Sequence, residues 1–178
     1  MNFVQEINDV LLKVESDSGS IDDALHEALI LTLKCGKLLF IGNGGSSSIA
    51  SHMAIDWSKN AEQPAACFND PAALTAIGND LGFDQSFARQ IKWYGHETDV
   101  LFAISSSGQS QNIINGAQAA RDLGMQIITF TGFEPDNRLR SWGAVNFYVP
   151  SHDYGLVECS HLILNHAILN AAIGLKNV

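Results

Sequence analysis

Positive charge is scarce in this chain. Of 178 residues only 10 are Lys or Arg, against 19 Asp or Glu, for a net charge of −9, and no basic cluster occurs. Nucleic acid and anionic membrane surfaces are therefore excluded as ligands of a basic face, since both need concentrated positive charge. Cysteine is rare as well. Cys35, Cys67 and Cys159 are odd in number and scattered, with no C-x-x-C. They read as reduced, mostly buried small apolar residues of a cytosolic protein. No run of about 18 uninterrupted apolar residues is present for a membrane span. The first residues, with Asn2, Glu6 and Asp9, lack the basic-then-apolar order of a signal peptide, so a cytoplasmic location is expected. Charged residues amount to only 16% and apolar ones to 46%. That balance describes one globular domain with a sizeable core, and it suggests surface covered in an oligomer.

Helical spacing of Phe3, Ile7, Val10, Leu11 and Val14 predicts an amphipathic helix over about the first sixteen residues. Ser20 with Asp23 three residues later starts a second helix whose apolar face includes Leu25, Ala28, Leu29 and Leu33, and Gly36 ends it. Residues 1–35 thus read as a helical hairpin, a packing or oligomerisation element. From 36 to 178 the pattern alternates. Apolar runs at Leu38–Ile41, Val100–Ile104, Gln126–Phe130 and Val145–Val149 predict strands buried on both faces, with a shorter piece at Ala65–Phe68. Helical stretches fall around Ile49–Lys59, Pro71–Ile77, Phe83–Trp93 and Asn112–Leu123, and a long apolar one covers about Leu156–Leu175. The fold class is α/β: a three-layer αβα sandwich around a parallel, flavodoxin-like sheet of about five strands.

Two small polar loops follow predicted strands. The first is Gly42-Asn43-Gly44-Gly45-Ser46-Ser47-Ser48, the second Ser105-Ser106-Ser107-Gly108-Gln109-Ser110. Strand, Gly/Ser loop, helix is an order that makes an anion site, because backbone N–H groups, hydroxyls and a helix N-terminus converge on one point. Two such loops at the carboxyl ends of parallel strands point to a phosphorylated ligand. A nucleotide is excluded: the third glycine of a dinucleotide fingerprint is Ser47 here, and no Gly-Lys-Ser/Thr follows.

With Leu74-Thr75-Ala76-Ile77-Gly78-Asn79-Asp80-x-Gly82-Phe83 between them, the two loops make the chain resemble the sugar-isomerase (SIS) domain family over nearly its whole length, and within it the phosphoheptose isomerases. The resemblance implies an aldose–ketose isomerase that converts sedoheptulose 7-phosphate to D-glycero-D-manno-heptose 7-phosphate for surface-polysaccharide precursors. It implies that Ser105, Ser106, Ser107 and Ser110 hold the phosphate, and that Asn43, Gly44, Gly45, Asn79 and Asp80 contact the sugar. Ser46 is a further donor at the first loop. It also implies a homo-oligomer, a tetramer or at least a dimer, with sites between subunits.

At the reacting end the chain departs from this pattern. The isomerases carry His-x-x-x-Glu after the first loop, where this chain has His52 and Asp56. They carry a glutamine eight residues before a histidine in the last helix, where this chain has Glu158 and His166. The expected catalytic residues are Asp56, Glu158 and His166, and the expected ligands of one zinc ion are His52, Asp56, Glu158 and His166. Eight residues of straight helix rise about 12 Å. Glu158 and His166 therefore share an ion only if Glu158 precedes the regular helix or the helix bends, and otherwise play separate roles. Ser151, Asp153 and Gly155 favour a late helix start. His161 reads as a core histidine, and His26 and His96 as surface residues. Two alternatives stand: a non-catalytic SIS scaffold like the one that associates with the bacterial replication initiator, and an isomerase of another, shorter sugar phosphate.

Overall fold

A computed structural model of the chain describes residues 2–176. Helix α1 spans Phe3–Leu11 and α2 Ile21–Lys34. Strand β1 covers Leu38–Gly42, helix α3 Gly44–Asn60, strand β2 Ala65–Cys67 and helix α4 Pro71–Leu81. A 3₁₀ turn at Phe83–Gln85 leads into α5, Ser86–Tyr94. Then come β3 (Val100–Ser105), α6 (Gln111–Asp122), β4 (Gln126–Gly132), a 3₁₀ turn at Arg138–Trp142, β5 (Val145–Val149) and α7 (Tyr154–Lys176).

All strand pairs are parallel, in the order β2-β1-β3-β4-β5. This is the flavodoxin-like order, with its switch point between β1 and β3. Each central strand divides its side chains by the two-residue period of the pleat. Leu38, Phe40, Phe102, Ile104 and Phe130 pack beneath α2, α3 and α7. Leu39, Ile41, Leu101, Ala103 and Ile127 face the opposite way, against α5, α6 and Leu139. Both faces are covered, which is why these strands read as unbroken apolar runs.

Element ends differ from the sequence reading in ways that matter. The first helix stops at Leu11 rather than near residue 16. Beyond it Glu15 pairs backbone to backbone with Tyr148 and ties this segment to the sheet edge. In α2 the Ser20–Asp23 capping box is present, but Leu33 is exposed and Thr32 takes the buried position. Helix α3 begins at Gly44, not Ile49, so the first loop is itself the helix's first turn. Helix α7 begins at Tyr154, with the Asp153 carboxylate accepting the Leu156 N–H at 2.9 Å. The expected late start does not occur, and Glu158 lies inside the regular helix.

By length and composition α7 is the one helix among the described residues apolar enough to cross a membrane. Val157, Leu164, Ile168, Leu169 and Ala172 nevertheless belong to the core between it and the sheet, so it reads as a core helix. All three cysteines are free, but Cys159 is exposed, contrary to the expectation of mostly buried thiols. Burial pushes the Cys35 thiol up to about 11 and raises that of Cys67, which keeps both in the unreactive form.

Candidate active site

The carboxyl ends of β1 and β3 deliver the two loops to one place. A pocket of about 250 Å³ is lined by Asn43, Gly44, Gly45, Ser46, Ser105, Ser106, Ser107, Ser110, Tyr154 and Glu158. It gathers every expected substrate-binding residue except Asn79 and Asp80. No Lys or Arg lines it.

Its walls can present donors to an anion. Asn43 caps α3 and Ser110 caps α6 without a side-chain cap hydrogen bond in either case. Backbone donors in the first turn of α3 are thus left without side-chain partners, and in the first turn of α6 only the Ile113 N–H has one, the Asn112 Oδ1 at 3.0 Å; both turns lie in the favourable field of a helix dipole. Ser105 Oγ accepts the Gly108 N–H and Ser107 Oγ accepts the Gln109 N–H, each at 3.2 Å. Both hydroxyl protons stay free to donate. The Ser106 hydroxyl is buried and has no partner among the described residues. A buried hydroxyl without a hydrogen bond costs stability unless a ligand completes it.

The second loop is braced from outside. Gly108 has φ +61°, and the Asn137 amide fills the space where its β-carbon would sit. Asn137 is in turn held by the carbonyls of Gly132 and Glu134. Across the pocket floor, Asn43 and Asn112 exchange reciprocal side-chain hydrogen bonds at 2.8 and 2.9 Å. Sequence reasoning missed Asn112 and Tyr154. Asn112 is the second residue of α6, just past the serine motif that ends at Ser110. Tyr154 was legible only as a residue near the start of the last helix.

From this pocket α3 and α7 run side by side. The Glu158 carboxylate rests on Gly45, in the space a β-carbon there would need. Farther along the same seam lie His52, Asp56 and His166, whose ligand atoms come within 4.8 Å of one another. His52 Nε2 is 3.3 Å from Asp56 Oδ2, and the His52 and His166 rings meet edge to face at 5.4 Å. Two imidazoles and a carboxylate at this spacing are a set that a divalent metal can use. Glu158 does not belong to this group. The eight-residue spacing is resolved as separate positions on a regular helix, with Glu158 at the serine pocket and His166 about 12 Å along.

Asn79 and Asp80 are exposed at the end of α4, where the Asn79 amide donates to the Asp80 carboxylate at 2.7 Å. Within one chain they stand outside the pocket. His161 is fully buried, its Nε2 on the Thr131 carbonyl at 3.0 Å, while His26 and His96 are exposed.

The fold, the paired loops and the histidine–aspartate group together define an α/β domain of the sugar-phosphate-binding type. The SIS domain family model matches residues 2–132. The chain is 43% identical over 155 residues to a phosphoheptose isomerase of Bradyrhizobium sp. strain ORS 278, covering 82% of this chain and 77% of that one. The structure of a Neisseria gonorrhoeae phosphoheptose isomerase superposes with a TM-score of 0.78 at 34% identity, covering 84% of this chain and 86% of the other. One from Francisella tularensis gives 0.82 at 28% identity over 96% and 94%. The chain belongs to the SIS domain family, as one of its phosphoheptose isomerase members.

Proposed function

We propose that the chain is an aldose–ketose isomerase of sedoheptulose 7-phosphate, forming D-glycero-D-manno-heptose 7-phosphate for surface polysaccharides. The observation that carries this reading is a single continuous seam. A cation-free anion pocket, with a Ser106 hydroxyl that has no partner among the described residues, lies at one end, and His52, Asp56 and His166 lie at the other. The two ends are separated by about two turns of α7, roughly 12 Å. The six C–C bonds of a seven-carbon chain, at about 1.5 Å each, give at most about 9 Å before the zigzag is allowed for, and the ester link to phosphorus adds about 2–3 Å. A five-carbon sugar phosphate anchored at the serines would fall short, which disfavours the shorter-sugar alternative.

The phosphate is held by the Ser105–Ser110 loop and the two helix N-termini, and Asn43 to Ser46 shape the sugar side. Isomerisation takes a proton from C1, next to the C2 carbonyl, moves the O1 hydroxyl proton to O2, and returns a proton to C2. Asp56 and His166, which face each other, are the groups that carry these protons. Glu158, at the serine end of the seam and without a hydrogen-bond partner among the described residues, accepts from sugar hydroxyls rather than sharing an ion. His52, Asp56 and His166 fit a zinc ion with a coordination position left open, and such an ion would supply Lewis-acid polarisation of the carbonyl oxygen.

The exposed positions of Asn79 and Asp80 suit a homotetramer, or at least a dimer, in which a second copy brings them to the site. The protein is cytoplasmic in this reading, and residues 1–178 form one domain.

Incubating the purified chain with sedoheptulose 7-phosphate and following the aldose product tests the assignment. Turnover of arabinose 5-phosphate instead, with none of the heptose, would transfer it to the shorter sugar.

A further inference from the structure

Tyr154 opens α7 and lines the serine pocket, and its phenol hydroxyl makes no hydrogen bond among the described residues. It is 62% exposed, yet it does not hang free. Its ring meets the half-buried Phe133 edge-on at 4.9 Å and 79°. The backbone of Phe133 is left-handed, at φ +59°, a conformation that a bulky non-glycine residue seldom adopts without being held there. Several contacts hold it. The Phe133 N–H donates to the Ser151 carbonyl at 3.0 Å. The Phe133 carbonyl accepts the Tyr148 hydroxyl at 2.8 Å. The ring also stacks on His152 at 5.6 Å and 16°, and His152 is paired with Glu134 at 2.9 Å.

We propose that Tyr154 is a ligand-binding residue whose phenol closes over the serine pocket and donates to the phosphate, and that Phe133 is a positioning residue that aims it. The inference rests on the reading of the pocket as a phosphate site. Its physical basis is the pocket's inventory: hydroxyls and backbone N–H groups, one carboxylate, and no guanidinium or ammonium. A phenol is a stronger donor than a serine hydroxyl and carries no charge. It adds a bond to the phosphate without forming an ion pair with Glu158, as a cation in the same place would. The left-handed turn at Phe133 ends β4 beside the Ser105–Ser110 loop, so the mount for Tyr154 is anchored to the sheet that carries the serines.

The test uses the full chain in two assays: steady-state kinetics with sedoheptulose 7-phosphate, and calorimetric titration with inorganic phosphate. Tyr154→Phe is expected to weaken phosphate binding and raise KM about tenfold, with a smaller fall in kcat. Phe133→Gly accepts the positive φ and keeps the fold while removing the mount. It is expected to lower the melting temperature through the lost ring contacts and also to reproduce the phosphate defect, and Phe133→Tyr to restore binding. Wild-type phosphate affinity in Tyr154→Phe overturns the proposal, as does a Phe133→Gly variant that loses only stability. If wild-type protein binds phosphate but turns over no heptose phosphate, the isomerase reading fails and the Tyr154 assignment is still decided by the titration. If wild type binds no phosphate, both fall.

Discussion

The carboxylate of Glu158 occupies the space that a β-carbon on Gly45 would need. Gly45 lies in the first turn of α3 and Glu158 in the second turn of α7, so this contact sets how closely the two helices approach beside the pocket. Gly45→Ala should force Glu158 aside, destabilise the fold by about 1–3 kcal/mol and lower kcat/KM at least tenfold. In a Glu158→Ala background the same change should cost much less stability, because the colliding group is gone. A thermal-denaturation cycle over the four proteins reads this coupling directly. Additive costs would show that the two residues do not meet.

Ser106 separates stability from binding. Its hydroxyl is buried without a partner among the described residues, so Ser106→Ala removes an unsatisfied polar group and should leave the melting temperature unchanged or slightly higher. The same variant should bind phosphate about tenfold more weakly. Calorimetric titration against differential scanning fluorimetry tests both halves. A destabilised variant with normal phosphate affinity would remove Ser106 from the site.

At the far end of the seam the prediction concerns metal. Wild-type protein should carry up to one zinc per chain by elemental analysis, and a strong chelator should abolish turnover, with zinc restoring it. His166→Asn and Asp56→Asn should each lose metal and activity by several orders of magnitude. Glu158→Gln should keep its metal, because Glu158 stands at the serine pocket rather than with His52, Asp56 and His166. Zinc loss in Glu158→Gln would show that the carboxylate swings into the ligand set.

The sheet and most of the pocket could be read from the chain because their causes are local. Leu38–Ile41 and Val100–Ile104 announce strands buried on both faces, and glycine and serine right after such strands make a turn with exposed donors. What failed was decided between elements. Helix α3 starts at Gly44 because the Gly/Ser loop folds as its first turn, a choice that the low helix propensity of glycine and serine conceals. Asn112 joins the site through Asn43, 69 positions away, and no local pattern encodes that pairing. Glu158 aligned with His166 in sequence, but its side chain was free to turn toward the serines or toward the histidines. Only the fit against Gly45 places it.

His161 makes acid stability a further test. Burial holds this imidazole down to about 4, against an ordinary value of 6.5, and the Thr131 carbonyl offsets only part of the shift. Above pH 6.5 both folded and unfolded chains carry it neutral, and it costs nothing. As pH falls below 6.5 the unfolded chain takes up a proton that the folded chain refuses, so stability is lost progressively down to about pH 4. Below that the loss levels off, at a total of about 3 kcal/mol. His161→Gln can keep a donor for the Thr131 carbonyl but has no proton to gain. Its stability at pH 7.5 should be lower than wild type by roughly 1 kcal/mol from imperfect packing. The gap should narrow and then reverse between pH 6 and pH 4.5. Urea denaturation of both proteins across that range measures the difference, in which the other titrating groups largely cancel. Parallel pH profiles for the two proteins would mean that His161 is protonated in the native state.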